Sequence, residues 1–166
     1  MSNIKTAYFA GGCFWCITPT FKEMNGVREV VSGYSGGDEV NPKYKDVKNQ
    51  ATGHRETIKI VYNSEKVTFE DLFETFLFGV DPFDDGGQFI DRGFSYTLAV
   101  YYNNEDEKLA AEKRIEALEK ASGQKVYIAL EPFNSFYDAE EEHQDYYLKN
   151  PEAFEKELIE SGRKNS

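Results

Sequence analysis

Thr6-Ala7-Tyr8-Phe9-Ala10-Gly11-Gly12-Cys13-Phe14-Trp15-Cys16 is the stretch from which the rest of the chain can be read. Residues 6–10 form an apolar run of strand length, the glycine pair frees the backbone to turn sharply, and helical character follows Cys13 as far as Asn25-Gly26. Cys13 is therefore predicted where a strand ends and a helix begins. Unpaired N–H groups and the positive end of the helix dipole at such a junction favour thiolate over thiol. They can bring a cysteine pKa from about 8.5 towards neutrality. Both cysteines of the chain and its one tryptophan fall within residues 13–16. Free cysteines commonly serve as small buried hydrophobes. A core position has no need of two preceding glycines, however, and the aromatic pair Phe14-Trp15 offers an apolar wall beside the sulfur. The expectation is a nucleophilic thiol.

Outward from that stretch, Pro19 allows two readings: a helix starting afresh with Thr18 as N-cap, or one that begins at Cys13 and kinks. Val27 to Tyr34 alternates as a strand and runs into the turn Ser35-Gly36-Gly37-Asp38. The segment from Glu39 to Gly53 is polar and aperiodic. Such loops often serve a neighbouring site, and Tyr34 at its root is a candidate cleft residue. His54 to Tyr62 reads as a strand with Glu56, Ile58 and Ile60 on one face. Glu56 is then either at a solvated strand end, which position alone favours, or a partly buried acid with a raised pKa.

Thr68-Phe69-Glu70-Asp71 is a capping signal for a helix through Leu77, with Leu72, Phe73, Phe76 and Leu77 as its core stripe. Val80 to Gly93 is a loop of turn formers and carboxylates, but Asp81, Asp84, Asp85 and Asp91 lack the spacing and closing glutamate of a calcium loop. Ser95 to Tyr102 alternates as a strand, Asn104 caps a helix through Ala121 that ends at Gly123, and Val126 to Leu130 is a further strand. Asp138 with Glu141 signals a helix carrying His143, Tyr146 and Tyr147, and Asn150-Pro151 opens a last one. This order predicts an α+β fold: a two-layer sandwich in which helices pack against a mostly antiparallel mixed sheet with a split β-α-β, ferredoxin-like core. Residues 1–166 read as one domain with a polar tail at about 162–166.

A formal net charge of −11 argues against nucleic-acid or anionic-membrane partners, whose phosphates would be repelled. No apolar run reaches membrane-spanning length and no leader pattern opens the chain, so a cytoplasmic protein is expected; a monomer is expected as well. Cys13 and Cys16 would close too small a loop to staple a fold, and a disulfide between them would be redox-active.

With these residues laid out, the chain resembles the A-type peptide methionine sulfoxide reductases. Gly-Cys-Phe-Trp at 12–15, Gly-Tyr-Ser-Gly-Gly at 33–37, Thr-Gly-His-x-Glu at 52–56, Asp-x-Gly-x-x-Tyr at 91–96 and Ala-Glu-x-x-His-Gln-x-Tyr at 139–146 occur in that family's order. The resemblance implies reduction of the S-epimer of methionine sulfoxide, free or in oxidised proteins, with no bound cofactor and no metal. It carries to this chain Cys13 as nucleophile, Phe14 and Trp15 as the pocket for the substrate methyl, Tyr34, Glu56 and Tyr96 around the sulfoxide oxygen, and Asp91, with His54 of the same motifs, on the substrate side.

The chemistry of the residues agrees. A sulfoxide oxygen is a poor leaving group, so attack at sulfur needs protonation of that oxygen, and Glu56 is the best acid available. Tyrosine hydroxyls can hold the developing charge. The attack leaves Cys13 as a sulfenic acid. Many members of the family resolve it with C-terminal cysteines; here no cysteine follows Cys16, which is the intramolecular candidate. A Cys13–Cys16 disulfide reduced by thioredoxin is expected, with an external thiol as the other route. Val80, where the family often has histidine, and Gly-Gly-Gln-Phe-Ile at 86–90 depart from its pattern in the loop before Asp91. Two rivals stand beside this reading. One is a thioredoxin-like disulfide oxidoreductase, which needs neither Glu56 nor the tyrosines. The other is a zinc module of Cys13, Cys16, His54 and His143, whose spacing fits no finger.

Overall fold

The computed structural model describes residues 3–89 and 91–144 together with Glu152 and Lys156. Along the chain run β1 (Ile4–Gly11), α1 (Phe14–Lys22), β2 (Val27–Ser35), α2 (Tyr44–Lys48), β3 (Arg55–Asn63) and α3 (Phe69–Phe78). They are followed by the short strands β4 (Gly87–Gln88) and β5 (Asp91–Arg92), then β6 (Leu98–Tyr102), α4 (Glu105–Ser122), β7 (Ile128–Pro132) and β8 (Phe136–Asp138). Six strands form one sheet in the order β7-β6-β1-β3-β2-β8, antiparallel throughout except for the parallel pair β6 and β7. The expected mostly antiparallel α+β architecture is present.

Apolar side chains of the central strands draw the helices onto one face. Phe9 of β1 is fully buried among Phe21 of α1 and Phe69, Phe73 and Phe76 of α3, with ring centroids 5.1–6.2 Å away. Burying a side chain of this size stabilises by about 1.5–3 kcal/mol. The α3 stripe reaches that core because the helix start is fixed: the Thr68 hydroxyl accepts from the Asp71 N–H and the Asp71 carboxylate accepts from the Thr68 N–H, both at 3.1 Å. Asn104 caps α4 in the expected way by accepting from the Glu107 N–H, and Gly123 ends it. Across the sheet, Tyr8 stacks on Phe133 at 4.0 Å over a smaller cluster of Ala10, Ala99 and Tyr101.

Several elements differ from the sequence expectation. α1 begins at Phe14 with Cys13 as N-cap and contains Pro19, so the helix does not restart at Thr18. Thr18 instead donates its hydroxyl to the Phe14 carbonyl at 2.6 Å. The strand expected from Ser95 starts at Leu98, because Phe94–Tyr96 forms a 3-10 turn, and the strand expected at Val126 starts at Ile128. α2 lies inside the segment read as a loop, and β4, β5 and β8 are too short for periodicity to reveal. Where a helix around His143 is expected, Glu141–His143 is a 3-10 turn. Tyr146, Tyr147, Asn150-Pro151 and the tail lie outside the described residues.

Candidate active site

The turn from β1 into α1 builds the centre of the site. Gly12 has φ of 85°, in the left-handed region that side chains disfavour, and this bend sets Cys13 at the helix N-cap. Gly11 serves packing instead: a Cβ there would lie 2.9 Å from Ile17 and from Phe76. Cys13 and Cys16 are both buried free thiols, and the Cys16 N–H donates to the Cys13 carbonyl at 3.1 Å.

Antiparallel register brings Glu56 of β3 beneath that helix start. Its residue is 1% exposed, so the solvated-end reading is overturned: the open end of β3 is roofed by α1. Oε1 accepts the Phe14 N–H at 3.2 Å, while Oε2 is buried with no hydrogen-bond partner among the described residues. Burial raises the Glu56 pKa to about 8. The Phe14 N–H opposes the shift, the charge of Asp91 adds to it, and the Tyr96 hydroxyl and Lys48 pull it down. Near neutral pH this carboxyl is mostly protonated.

Cys13 departs from expectation. The hydrogen bond shared with Cys16, burial, and the negative charges of Cys16, Glu56 and Asp91 raise its thiol well above the ordinary cysteine value. The helix terminus does not prevail because the first N–H of α1, on Phe14, is already committed to Glu56. The resting sulfur is a thiol, not a thiolate.

The tyrosines also divide differently. Tyr34 is opposite Glu56 in the β2–β3 register, but its hydroxyl donates to Oε1 of Glu140 at 2.9 Å, while its ring lies 5.9 Å from that of Phe14. Oε2 of Glu140 accepts the Tyr44 N–H at 3.1 Å. Despite burial, these bonds hold Glu140 below the usual carboxylate range. Tyr44, which sequence reasoning passed over, brings its hydroxyl to that of Tyr96. Burial, Glu56 and Cys13 act on both groups and raise them above the ordinary tyrosine value. Its ring stacks on His143 at 4.1 Å and lies 6.1 Å from Phe14. The only signal in the sequence was that it fell in a long polar segment beside the site, in a helix of five residues.

Asp91, on the two-residue strand β5, is close enough for its charge to act on Glu56, Cys13, Tyr44 and Tyr96. Phe14 is fully buried. Trp15 lies in α1, and its side chain is outside the described part. His54 is fully buried and serves the neighbouring loop: Nδ1 accepts the Gly37 N–H at 3.2 Å, and Nε2 meets the Glu39 carbonyl at 2.8 Å. No group of three or more His, Cys, Asp or Glu among the described residues could hold a metal ion. No helix among them is long and apolar enough to cross a membrane. The arrangement brings a thiol, a protonated carboxyl and two hydroxyl donors together in a buried setting, which suits attack on a polarised, neutral sulfur–oxygen group.

Residues 5–166 match the family model described as peptide methionine sulfoxide reductase. The chain is 44% identical over 163 residues to "Peptide methionine sulfoxide reductase MsrA" of Halalkalibacterium halodurans, covering 97% of this chain and 93% of the relative. Among solved structures it is similar to Mxr1 of Saccharomyces cerevisiae in reduced form. There the identity is 30% and the TM-score 0.81, with 90% of this chain and 87% of the other covered. Mxr1 in complex with Trx2 is likewise similar in fold, with a TM-score of 0.58, 22% identity and coverage of 87% and 85%.

Proposed function

The chain belongs to the peptide methionine sulfoxide reductase family, and on that premise we propose how its residues divide the work of reducing methionine sulfoxide. The observation that carries the reading is Glu56, buried, held by the Phe14 N–H and neutral near pH 7, beside a thiol at the start of α1.

Cys13 attacks the sulfoxide sulfur while Glu56 protonates the oxygen, and the proton leaving the Cys13 thiol restores Glu56. The S–O bond breaks as oxygen transfers to Cys13. Thiol plus sulfoxide thus gives sulfenic acid plus thioether, with atoms and protons balanced and no added acid. Tyr96 and Tyr44 hold the oxygen as charge develops. We assign Tyr44 this role in preference to Tyr34, whose hydroxyl is engaged by Glu140. Phe14 and Trp15 form the methyl-binding wall, Asp91 orients the substrate, and His54 supports the Gly37–Glu39 loop from behind.

Cys16 then attacks the sulfenic sulfur, forming a Cys13–Cys16 disulfide and releasing water, and thioredoxin returns both to thiols. Their proximity across one helical turn supports that route. The preferred substrate is the S-epimer, and the compartment is the cytoplasm, where thiol donors are available. The sheet order β6-β1-β3-β2, with β3 lying between β1 and β2, supports reading the core as the split β-α-β, ferredoxin-like arrangement. A dithiol oxidoreductase would have no use for Glu56 and the Tyr44–Tyr96 pair. Single-turnover assays with each epimer of methionine sulfoxide test the assignment: release of one methionine per Cys13 from the S-epimer alone is expected, and equal release from both would overturn it.

A further inference from the structure

We propose that Gln50 is a positioning residue that clasps the helix carrying Tyr44 to the turn carrying Tyr96, and so fixes the hydroxyl pair facing Glu56. The inference rests on the site reading above and adds the device that assembles it. It starts from the backbone. α2 ends in a closed motif in which the Gln50 N–H bonds the Val47 carbonyl at 3.1 Å and the Ala51 N–H bonds the Asp46 carbonyl at 2.9 Å. Gln50 is the left-handed residue of that motif, with φ of 62°. Glycine is the usual occupant, because a Cβ is disfavoured there. A strained non-glycine residue at such a position directs attention to what its side chain does.

The Gln50 amide makes three bonds. Oε1 accepts the Ser95 N–H at 2.9 Å, and Nε2 donates to the Ser95 hydroxyl at 2.8 Å and to the Lys48 carbonyl at 2.9 Å. Lys48 is the last residue of the helix that begins with Tyr44, and Ser95 is the buried middle residue of the 3-10 turn that ends with Tyr96. One planar amide therefore holds both elements in a fixed relation. The fit on the far side is equally close: a Cβ on Gly93 would lie 2.7–2.9 Å from the Gln50 amide atoms. Gly93, with φ of 121°, both opens the Tyr96 turn and leaves room for the clasp.

The Tyr44 and Tyr96 hydroxyls share a hydrogen bond at the acid. Their separation is set by α2 on one side and the turn on the other, so loosening Gln50 misplaces the donors without removing either. Misplacement of this kind lowers the chemical rate more than it weakens binding.

Gln50→Gly tests this, because glycine fits the left-handed backbone and the fold should be kept with little change in melting temperature. Stopped single-turnover reduction of methionine S-sulfoxide is expected to slow about tenfold to a hundredfold, with half-saturating substrate changed by less than about threefold. In a double-mutant cycle, Gln50→Gly with Ser95→Ala should cost no more than Gln50→Gly alone. A fluorotyrosine at position 96 should shift its ¹⁹F resonance between parent and Gln50→Gly. A single-turnover rate within twofold of the parent, or an unmoved resonance, would overturn the proposal. An inactive parent would count against the reductase site itself, and the fluorine comparison, which needs no turnover, would still decide the clasp.

Discussion

Phe14 and Glu56, 42 residues apart in sequence, are joined by a hydrogen bond from the Phe14 N–H to Oε1 at 3.2 Å. Through it the first N–H of α1 is given to the acid and not to the neighbouring sulfur. The helix start that would have ionised a cysteine is thus bonded to the carboxyl proposed as the general acid.

Glu56→Gln removes the proton donor and keeps the Phe14 bond. The single-turnover rate should fall by about 10²–10⁴-fold, and the parent's decline above pH 8, where Glu56 loses its proton, should vanish in the variant. Stability gives an independent reading. The folded pKa lies above the unfolded value, so this group's contribution is complete below about pH 4.5 and lost as pH rises through 8. Glu56→Gln should therefore be more stable than the parent at pH 9, on the order of a few kcal/mol, as measured by urea unfolding. A variant equal or inferior there would mean Glu56 is not a buried neutral acid.

Cys13 in the resting enzyme should be alkylated by iodoacetamide at pH 7 more slowly than a free thiol, with the rate climbing at alkaline pH. Peptide mapping assigns the modified sulfur. Because the charge on Glu56 helps raise the thiol, Glu56→Gln should move that rise to lower pH. Fast labelling at pH 7 would restore the thiolate reading. Cys13→Ser should release no methionine at all.

Cys16→Ser separates attack from resolution. The first methionine should be released at a near-parental rate, thioredoxin-dependent turnover should be lost, and a sulfenic acid should be trapped on Cys13 by dimedone. Sustained turnover with thioredoxin would show that an external thiol resolves the intermediate.

Tyr44→Phe and Tyr34→Phe should have opposite profiles. Losing the Tyr44 hydroxyl takes a donor from the oxygen and should lower the single-turnover rate about tenfold or more, with little effect on melting. Losing the Tyr34 hydroxyl deprives Glu140 of a donor and should cost about 1–3 kcal/mol of stability, with a smaller effect on rate. The reverse pattern would return the role to Tyr34.

Elements longer than about five residues were legible because their periodicity is local: β1, β3, α3 and α4 stand close to where spacing and caps put them. α2 and the short strands were not, since a few residues carry no period and their form depends on distant partners such as Gln50 with Ser95 or Tyr34 with Glu140.

By itself the sequence determined the order of the longer elements and the strand–Gly12–Cys13–helix junction, because each rests on residue type and near-neighbour spacing, whereas Glu56 stood out there only through the family's motifs. Only the tertiary structure decided the protonation of Cys13 and Glu56 and the partner of each tyrosine hydroxyl, Glu140 for Tyr34 and Tyr96 for Tyr44. A pKa is set by burial and by charges from across the fold, and a hydroxyl takes its role from whichever acceptor the folded chain brings to it.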